Sequence, residues 1–170
     1  MITAVLLVVS LLFGVLPAGA DPYVVMFQPV LFFAVLDGIL SGPLYALALG
    51  VLSPLLSYFL FPGAELVPDT ITSIVACAAA GLVSGILYEV FFSSVGSSLV
   101  GLLVWLFAFG LTKFICLLAI GDSYFILDFF SDTILALWPG LLLTLLLVPI
   151  LVVFLRKRGA MWVLRHERED

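Results

Sequence analysis

The chain has 170 residues, of which 65% are hydrophobic and 10% are charged, and its formal net charge is −5. Soluble domains are roughly half apolar and a quarter charged, so this composition excludes an ordinary soluble domain and predicts an all-α integral membrane protein. The length fits one domain, and we expect no nucleic-acid partner.

Apolar segments follow one another along the chain, separated by turn residues. A helix needs about 20 apolar residues to cross a bilayer, within a range of about 17–25. The segments that meet or nearly meet this length are 2–17, 24–40, 43–61, 70–90, 97–120 and 133–155. The sequence therefore predicts a compact six-helix transmembrane bundle at 1–158, followed by a short charged cytoplasmic tail at 159–170.

Prolines mark the starts and the interiors of these segments. Pro43 and Pro139 lie near predicted helix starts, where a missing N–H is harmless. Pro54 and Pro149 lie inside predicted spans, which we expect them to kink. The first segment ends in LPAGAD, which resembles a signal-peptidase site, but no basic residue precedes the apolar run. We expect a retained first helix, and a cleaved signal is the alternative.

The basic residues indicate the orientation of the bundle. Five of the six lie in the stretch RKRGAMWVLRHERED at 156–170, and basic segments stay in the cytoplasm. Both termini of a six-span bundle are then cytoplasmic. The outer connections at 17–23, 62–69 and 121–132 are long and acidic, whereas the inner ones are short. Long loops on one side of a bundle are typical of a binding mouth.

Catalytic and metal-binding motifs are missing from the sequence. It contains no glycine-rich phosphate-binding loop ending in Lys-Ser or Lys-Thr, no HExxH and no GxSxG. The only histidine, His166, is in the tail. Cys77 and Cys116 lie in apolar runs, where free thiols pack as small hydrophobic groups. We therefore expect no enzymatic activity, no metal and no cofactor.

Lys113 lies within the apolar run LVGLLVWLFAFGLTKFICLLAIGD and is the only basic residue before Arg156. Inserting a lysine near the middle of a bilayer costs about 2.5–3.5 kcal/mol, which so apolar a helix can absorb. The ammonium group either snorkels outward, where Asp122 or Asp132 can pair with it, or points into the bundle and meets an anionic or carbonyl group of a ligand. We favour the second interpretation, because ionisable residues inside membrane spans usually serve function.

Other polar and aromatic residues are expected near the same outer end of the bundle. Together with Lys113, the predicted substrate-binding set contains Gln28, Tyr58, Glu65, Asp69, Thr72 and Trp138. Tyr and Trp at such depths are also typical of the interfacial belt, and Glu65 and Asp69 can equally be solvated loop charges. Asp37 and Glu89 lie near the inner ends, where we expect them to cap helices or to meet basic residues of a partner.

Small residues are concentrated in 42–85, which ends in ACAAAGLVSG. Small side chains let helix backbones approach one another closely inside a membrane. Gly81 and Gly85 are four residues apart and therefore lie on one helix face. That face suits either packing within the bundle or docking of a partner helix, and the spacing leaves both open.

Several of these runs together resemble the substrate-binding S components of energy-coupling factor transporters. They are GPLYALALGVLSPLLS at 42–57, AAAGLVSGILY at 78–88 and the final span WPGLLLTLLLVPILVVFLRKR, within a similarity that covers roughly 22–158. The resemblance implies a bundle in a prokaryotic plasma membrane that binds a vitamin or related micronutrient in a pocket open to the outside. It also implies a transmembrane coupling subunit and two ATPase subunits as partners, which supply the energy for import.

The first helix departs from the pattern of that family. S components typically carry Ala-x-x-x-Ala where the coupling subunit docks, but here Ala4 is followed at that spacing by Val8. The larger valine side chain would hold a partner helix farther away, unless Thr3 or Ser10 provides the close approach. The coupling-subunit interface that the resemblance implies consists of Ala4, Val8, Gly81 and Gly85.

A structural membrane protein of the MreD cell-shape type is the alternative, because it has a similar size and number of spans. Such a protein needs no polar cavity, and Lys113 would then only snorkel. A small secondary transporter is a third class, but these proteins usually show internal repeats and midplane charges, and neither is clear here. Copurification with ATPase subunits would favour the first class, and association with cell-wall synthesis proteins would favour the second.

Overall fold

The computed structural model describes residues 2–15, 29–60, 66–91, 93–121 and 135–157. Within these ranges the chain is helical apart from short connections, and it contains no β-strand. The six α-helices of the described ranges are α1 (Ile2–Val15), α2 (Pro29–Ser41), α3 (Pro43–Leu60), α4 (Ile71–Phe91), α5 (Ser94–Ala119) and α6 (Ala136–Lys157), and a π-helical turn at Leu66–Thr70 precedes α4. The predicted helical class is confirmed.

Four of these helices, α3 to α6, are long and apolar enough to cross a membrane. The other two, α1 and α2, are apolar but contain 14 and 13 residues. Each is about 20 Å long at 1.5 Å per residue, which is shorter than the ~30 Å hydrocarbon core of a bilayer. The predicted spans 2–17 and 24–40 both extend into residues outside the described ranges.

Proline and glycine fix several of the helix boundaries. α3 begins at Pro43, as predicted, and Pro54 and Pro149 lie inside α3 and α6. α2 and α3 are joined by the single residue Gly42, whose φ of 105° is in the left-handed region that glycine adopts without strain. After α5, Gly121 has a φ of 81° and ends the helix in the same way.

α2 lies at the centre of the bundle. It packs against α1, α3, α4 and α6, and nine of its 13 residues are buried. Leu31, Val35 and Ile39 are fully buried on this helix and form the middle of the hydrophobic core. Because neighbours cover α2 on every side, a polar group on it is removed from both lipid and water.

Small residues allow α2, α3 and α4 to approach one another closely. A Cβ placed on Gly38 of α2 would collide with the carbonyl oxygen of Gly81 and lie 2.8 Å from Ser84 Oγ, both on α4. A Cβ on Gly85 would lie 2.8 Å from the Cα of Pro43. The backbones are therefore in direct contact, as expected where lipid removes the hydrophobic driving force between helices.

The contacts between α3 and α4 define two ends of the bundle. Gly85 lies against Pro43, and Gly50 lies against Ala78, so the two helices run antiparallel. We call the end where α2 ends and α3 begins the Gly42 end. The opposite end, where α3 ends and the turn at Leu66–Thr70 leads into α4, is called the Asp69 end.

Candidate functional site

α4 and α5 pack side by side, and their contacts fix their register. A Cβ on Gly101 of α5 would lie 3.0 Å from Ser84 Cβ and 3.3 Å from the carbonyl oxygen of Ala80. Trp105, one turn farther along α5, lies beside Cys77, about one turn back along α4. The two helices therefore run antiparallel, and the second half of α5 follows the first half of α4 toward the Asp69 end.

Trp105, Phe109 and Lys113 form a line along one face of α5, because they are spaced four residues apart. The ring centroids of Trp105 and Phe109 are 4.9 Å apart, with the planes tilted by 31°. Lys113 Nζ lies 5.9 Å from the centroid of the Phe109 ring, within the range of a cation–π contact. Trp105 is fully buried, and the other two are partly buried. The line thus runs from the core to Lys113.

Two buried polar atoms near this line are poorly satisfied. Thr72 Oγ1 has no hydrogen-bond partner within the described part of the chain, and the indole N–H of Trp105 has only the Cys77 thiol beside it. The side chains of Trp105 and Thr72 are 0% and 1% exposed. The Cys77 thiol beside Trp105 is a weak acceptor. Thr72 lies on the same line of α4 as Ala80, which faces α5. A buried polar group without a hydrogen-bond partner costs about 1–3 kcal/mol, so a further polar group that bonded to either atom would be favourable.

The turn at Leu66–Thr70 lies at the end of this interface and contacts both α4 and α5. Asp69, in the turn, is exposed. It precedes Cys77 by eight residues, and Lys113 follows Trp105 by eight, which is about 12 Å along each helix axis. Because Cys77 and Trp105 are neighbours, the register places Asp69 and Lys113 at the same level.

Tyr58 reaches a similar level from α3. It follows Gly50 by eight residues, and Gly50 lies against Ala78, which follows Thr70 by eight. Tyr58 is partly buried, and its ring meets that of Phe59 nearly edge-on with centroids 5.3 Å apart. Four predicted substrate-binding residues therefore lie toward the Asp69 end of the bundle: Tyr58, Asp69, Thr72 and Lys113.

The other predicted substrate-binding residues are not brought to this site by the described structure. Gln28 and Glu65 lie outside the described residues. Trp138 is in the first turn of α6 and is 54% exposed, an environment that is typical of tryptophans in the interfacial belt. We therefore restrict the name Lys113 site to Asp69, Thr72, Trp105, Phe109 and Lys113.

The four residues of the implied coupling interface divide into two pairs. Ala4 and Val8 lie on the exposed face of α1, with Val8 55% exposed. Gly81 and Gly85 are buried and face α2 and α3 of the same chain. Of the two uses that their spacing left open, the structure shows packing within the bundle. The exposed part of the implied interface is thus Ala4 and Val8.

Two features of the interior were not anticipated from the sequence. The expectation that Asp37 caps a helix or meets a partner was wrong, because Asp37 is 0% exposed and is hydrogen-bonded within the bundle. Glu89 is exposed, and its expected role stays a prediction. Trp105 was missed as a site residue, although its spacing of eight residues from Lys113 is a signal that both lie on one face of α5.

Comparisons with protein-family models, with curated proteins and with solved structures found no match to this chain. The resemblance to S components therefore stays a prediction from the sequence motifs. A function has to be inferred from the Lys113 site and from the arrangement of the helices.

Proposed function

We propose that this chain is a membrane-embedded substrate-capture subunit with six spans and cytoplasmic termini. In this proposal it belongs to an energy-coupling factor transporter of a prokaryotic plasma membrane and imports a vitamin or related micronutrient. Six apolar helices in the described ranges, four of them of span length, support the bundle. The basic tail supports the orientation, and the motifs at 42–57 and 78–88 support the class of transporter.

The observation that carries the proposal is a pair of buried polar groups on the same interface as Lys113, namely the Thr72 hydroxyl, which has no partner among the described residues, and the Trp105 indole N–H, which has only the Cys77 thiol beside it. A purely structural bundle gains nothing from a buried hydroxyl without a partner or from a buried N–H that meets only a weak acceptor. A ligand-binding protein gains from such groups, because the polar groups that fix the orientation of a ligand have no hydrogen-bond partner until the ligand binds.

The Lys113 site suits a small ligand with a flat ring and one anionic group. The indole N–H of Trp105 can donate to a ring nitrogen or carbonyl, and the Phe109 ring offers a stacking surface. The Lys113 ammonium group can pair with a carboxylate. Asp69, at the same level, disfavours a ligand of high negative charge and favours one that also carries a positive group.

Energy for import has to come from partners in this proposal, since the sequence contains no phosphate-binding loop. The transmembrane coupling subunit would dock on the exposed face of α1 that contains Ala4 and Val8. Its two ATPase subunits would drive reorientation of the loaded bundle and release of the ligand on the cytoplasmic side.

Retention of a small molecule by the purified protein tests the proposal. The protein is purified in mild detergent from its native membrane, and bound molecules are identified by mass spectrometry. We expect wild-type protein to retain one compound, and Lys113→Met to retain at least about tenfold less, as the loss of a charge-assisted hydrogen bond predicts. Lys113→Arg preserves the charge and should restore part of the retention.

Phe107→Leu is the matched control, because Phe107 lies on the same helix but is 73% exposed on another face. It should retain the compound as the wild type does. If Lys113→Met retains as much of the compound as the wild type does, Lys113 takes no part in binding and only snorkels toward the membrane surface. If the wild type retains no compound and copurifies with cell-wall synthesis proteins in place of ATPase subunits, the structural alternative is correct.

A further inference from the structure

Lys113 lies on a helix whose direction turns its side chain toward the middle of the bundle. α5 runs antiparallel to α4 and ends toward the Asp69 end. The Cα–Cβ bonds of an α-helix tilt toward its N-terminus, so the side chain of Lys113 leans back toward Trp105 and the core. A lysine that snorkels to the nearer membrane surface from this position has to extend against that tilt.

The ammonium group of Lys113 follows the tilt of the helix. Its Nζ lies over the ring of Phe109, one turn back along α5, and is 5.9 Å from the centroid of that ring. This is within the range of about 6 Å at which the face of a ring attracts a cation. Both side chains are partly buried, and charges interact more strongly there than in water. The ammonium group is therefore directed away from the end of α5.

The ring of Phe109 is fixed by its own neighbours. It packs against the hydrophobic core, and its centroid is 4.9 Å from that of the Trp105 ring, with the planes tilted by 31°. Trp105 is fully buried and has Cys77 beside it. A ring that packing already holds in place loses little conformational freedom when a cation lies on its face. Phe109 thus offers the ammonium group one defined position.

We propose that Phe109 is a positioning residue, whose ring holds the Lys113 ammonium group inside the bundle in the ligand-free protein. The inference deepens the proposed function and rests on it in one respect, namely that a ligand then uses the ammonium group. The anionic group of the ligand draws the ammonium group off the ring, because a charge-assisted hydrogen bond is stronger than a cation–π contact. The face of Phe109 is then open to the flat ring of the same ligand. A compound that carries only one of the two groups gains only half of this exchange.

The position of the ammonium group can be measured without a ligand, because the sequence contains two lysines, Lys113 and Lys157. Full-length protein is produced with lysine that carries ¹³C at its ε-carbon, purified in mild detergent and washed until no bound compound remains. The ε-methylene signals are recorded by NMR, and Lys157→Arg assigns that of Lys113. For the wild type we expect this signal to be shifted upfield by the ring current of Phe109, and to be broadened only weakly by a water-soluble gadolinium chelate.

Phe109→Leu removes the ring and keeps an apolar side chain. We expect the upfield shift to be lost and the broadening by the gadolinium chelate to increase, because the lysine then extends toward the membrane surface. Phe109→Tyr keeps a ring and should preserve both properties. Phe107→Leu is the matched control, because it is the same substitution on the same helix at a residue that is 73% exposed. It should leave both properties unchanged.

Retention of the copurified compound distinguishes this inference from the proposed function. Phe109→Leu should retain about fivefold less of the compound than the wild type, and Phe109→Tyr should restore most of it. If the wild type retains no compound, the proposed function fails, while the NMR signal still decides where the ammonium group lies.

Three results would overturn the inference. One is a wild-type Lys113 signal without an upfield shift, a measurement that does not depend on the folding of any Phe109 variant. Another is unchanged gadolinium broadening in Phe109→Leu. The third is equal retention of the compound by Phe109→Leu and the wild type, which would show that the contact with the ring does not prepare Lys113 for binding.

Discussion

Thr72 allows the structural and the binding roles of a single residue to be separated. Its hydroxyl is buried without a partner in the described structure, so replacing it by the isosteric Val removes an unmet polar group. We expect Thr72→Val to raise the free energy of unfolding by about 1 kcal/mol, since the desolvation penalty disappears. The same variant should retain less of the copurified compound if the hydroxyl binds ligand. Thermal unfolding and mass spectrometry on one preparation measure both effects.

Thr144→Val is the control, because Thr144 is equally buried but donates a 2.8 Å hydrogen bond to the carbonyl oxygen of Gly140. It should lower stability slightly and leave compound retention unchanged. A stabilised Thr72→Val that retains the compound fully would show that the hydroxyl takes no part in binding.

At the scale of single residues, the sequence predicted which residues share a helix face better than it predicted which side chains are buried. The four-residue interval of Gly81 and Gly85 placed them on one face, and the structure confirms that small residues line a close helix contact. The sequence did not reveal that Asp37 faces the core. These helices are apolar on all sides, so hydrophobic periodicity cannot distinguish a face that meets other helices from one that meets lipid. Only the packing of α1 over α2 decides the environment of Asp37.

α1 is held to the bundle by a polar contact between Ser10 and Ser53 of α3. Their Oγ atoms are 2.5 Å apart and buried, and Ser10 also donates to the carbonyl oxygen of Leu7 at 3.1 Å. A double-mutant cycle of Ser10→Ala and Ser53→Ala should give a coupling free energy of about 0.6 kcal/mol, with an upper bound of about 1.7 kcal/mol, as for other hydrogen bonds between membrane helices.

The cycle uses unfolding free energies in detergent for the wild type, both single variants and the double variant. Ser10→Ala should be the more destabilising single change, because the Ser10 hydroxyl contacts both Ser53 and the carbonyl oxygen of Leu7. Additive effects of the two changes would contradict a direct bond and would leave α1 held by apolar packing and by the hydrogen bond from Thr3 to Asp37.

At the scale of helices, boundaries followed the sequence where local chemistry decides them. Pro43 begins α3, as predicted. The start of α5 was placed at 97, but the helix begins at Ser94, because the Ser93 hydroxyl accepts a hydrogen bond from the Gly96 N–H at 3.2 Å and caps it. The N-cap rule would have found this start in the stretch SSVGSS. The length of the apolar run alone did not locate this start, because serine lowers the local hydropathy although it favours the N-cap position.

At the scale of the whole molecule, composition predicted the helical class, and the number of spans stays a prediction. Four helices have the length of a span, and α1 and α2 do not within the described residues. The assembly of the Lys113 site depends on the register of α4 against α5. That register is fixed by Gly101 against Ala80 and Ser84, a contact between residues far apart in sequence, which a single sequence does not reveal.

The proposed orientation predicts which residues are accessible from each side of the membrane. Ile120, which follows the last turn of α5, is 58% exposed, and Glu89, near the end of α4, is also exposed. Cys77 and Cys116 are first replaced by Ala, and single cysteines are introduced as Ile120→Cys or Glu89→Cys. A membrane-impermeant maleimide should label Ile120→Cys in intact cells. It should label Glu89→Cys only after permeabilisation, because the basic tail keeps that end of the bundle inside.

Labelling after detergent solubilisation controls for reactivity, since both cysteines should then react fully. The two sites lie at opposite ends of the antiparallel pair α4 and α5, so labelling of both from one side would contradict a membrane-spanning pair. If only Glu89→Cys is labelled in intact cells, the orientation of the bundle is the opposite of the one proposed. The Lys113 site would then open to the cytoplasm, and capture of a nutrient from outside would be ruled out whatever compound the protein retains.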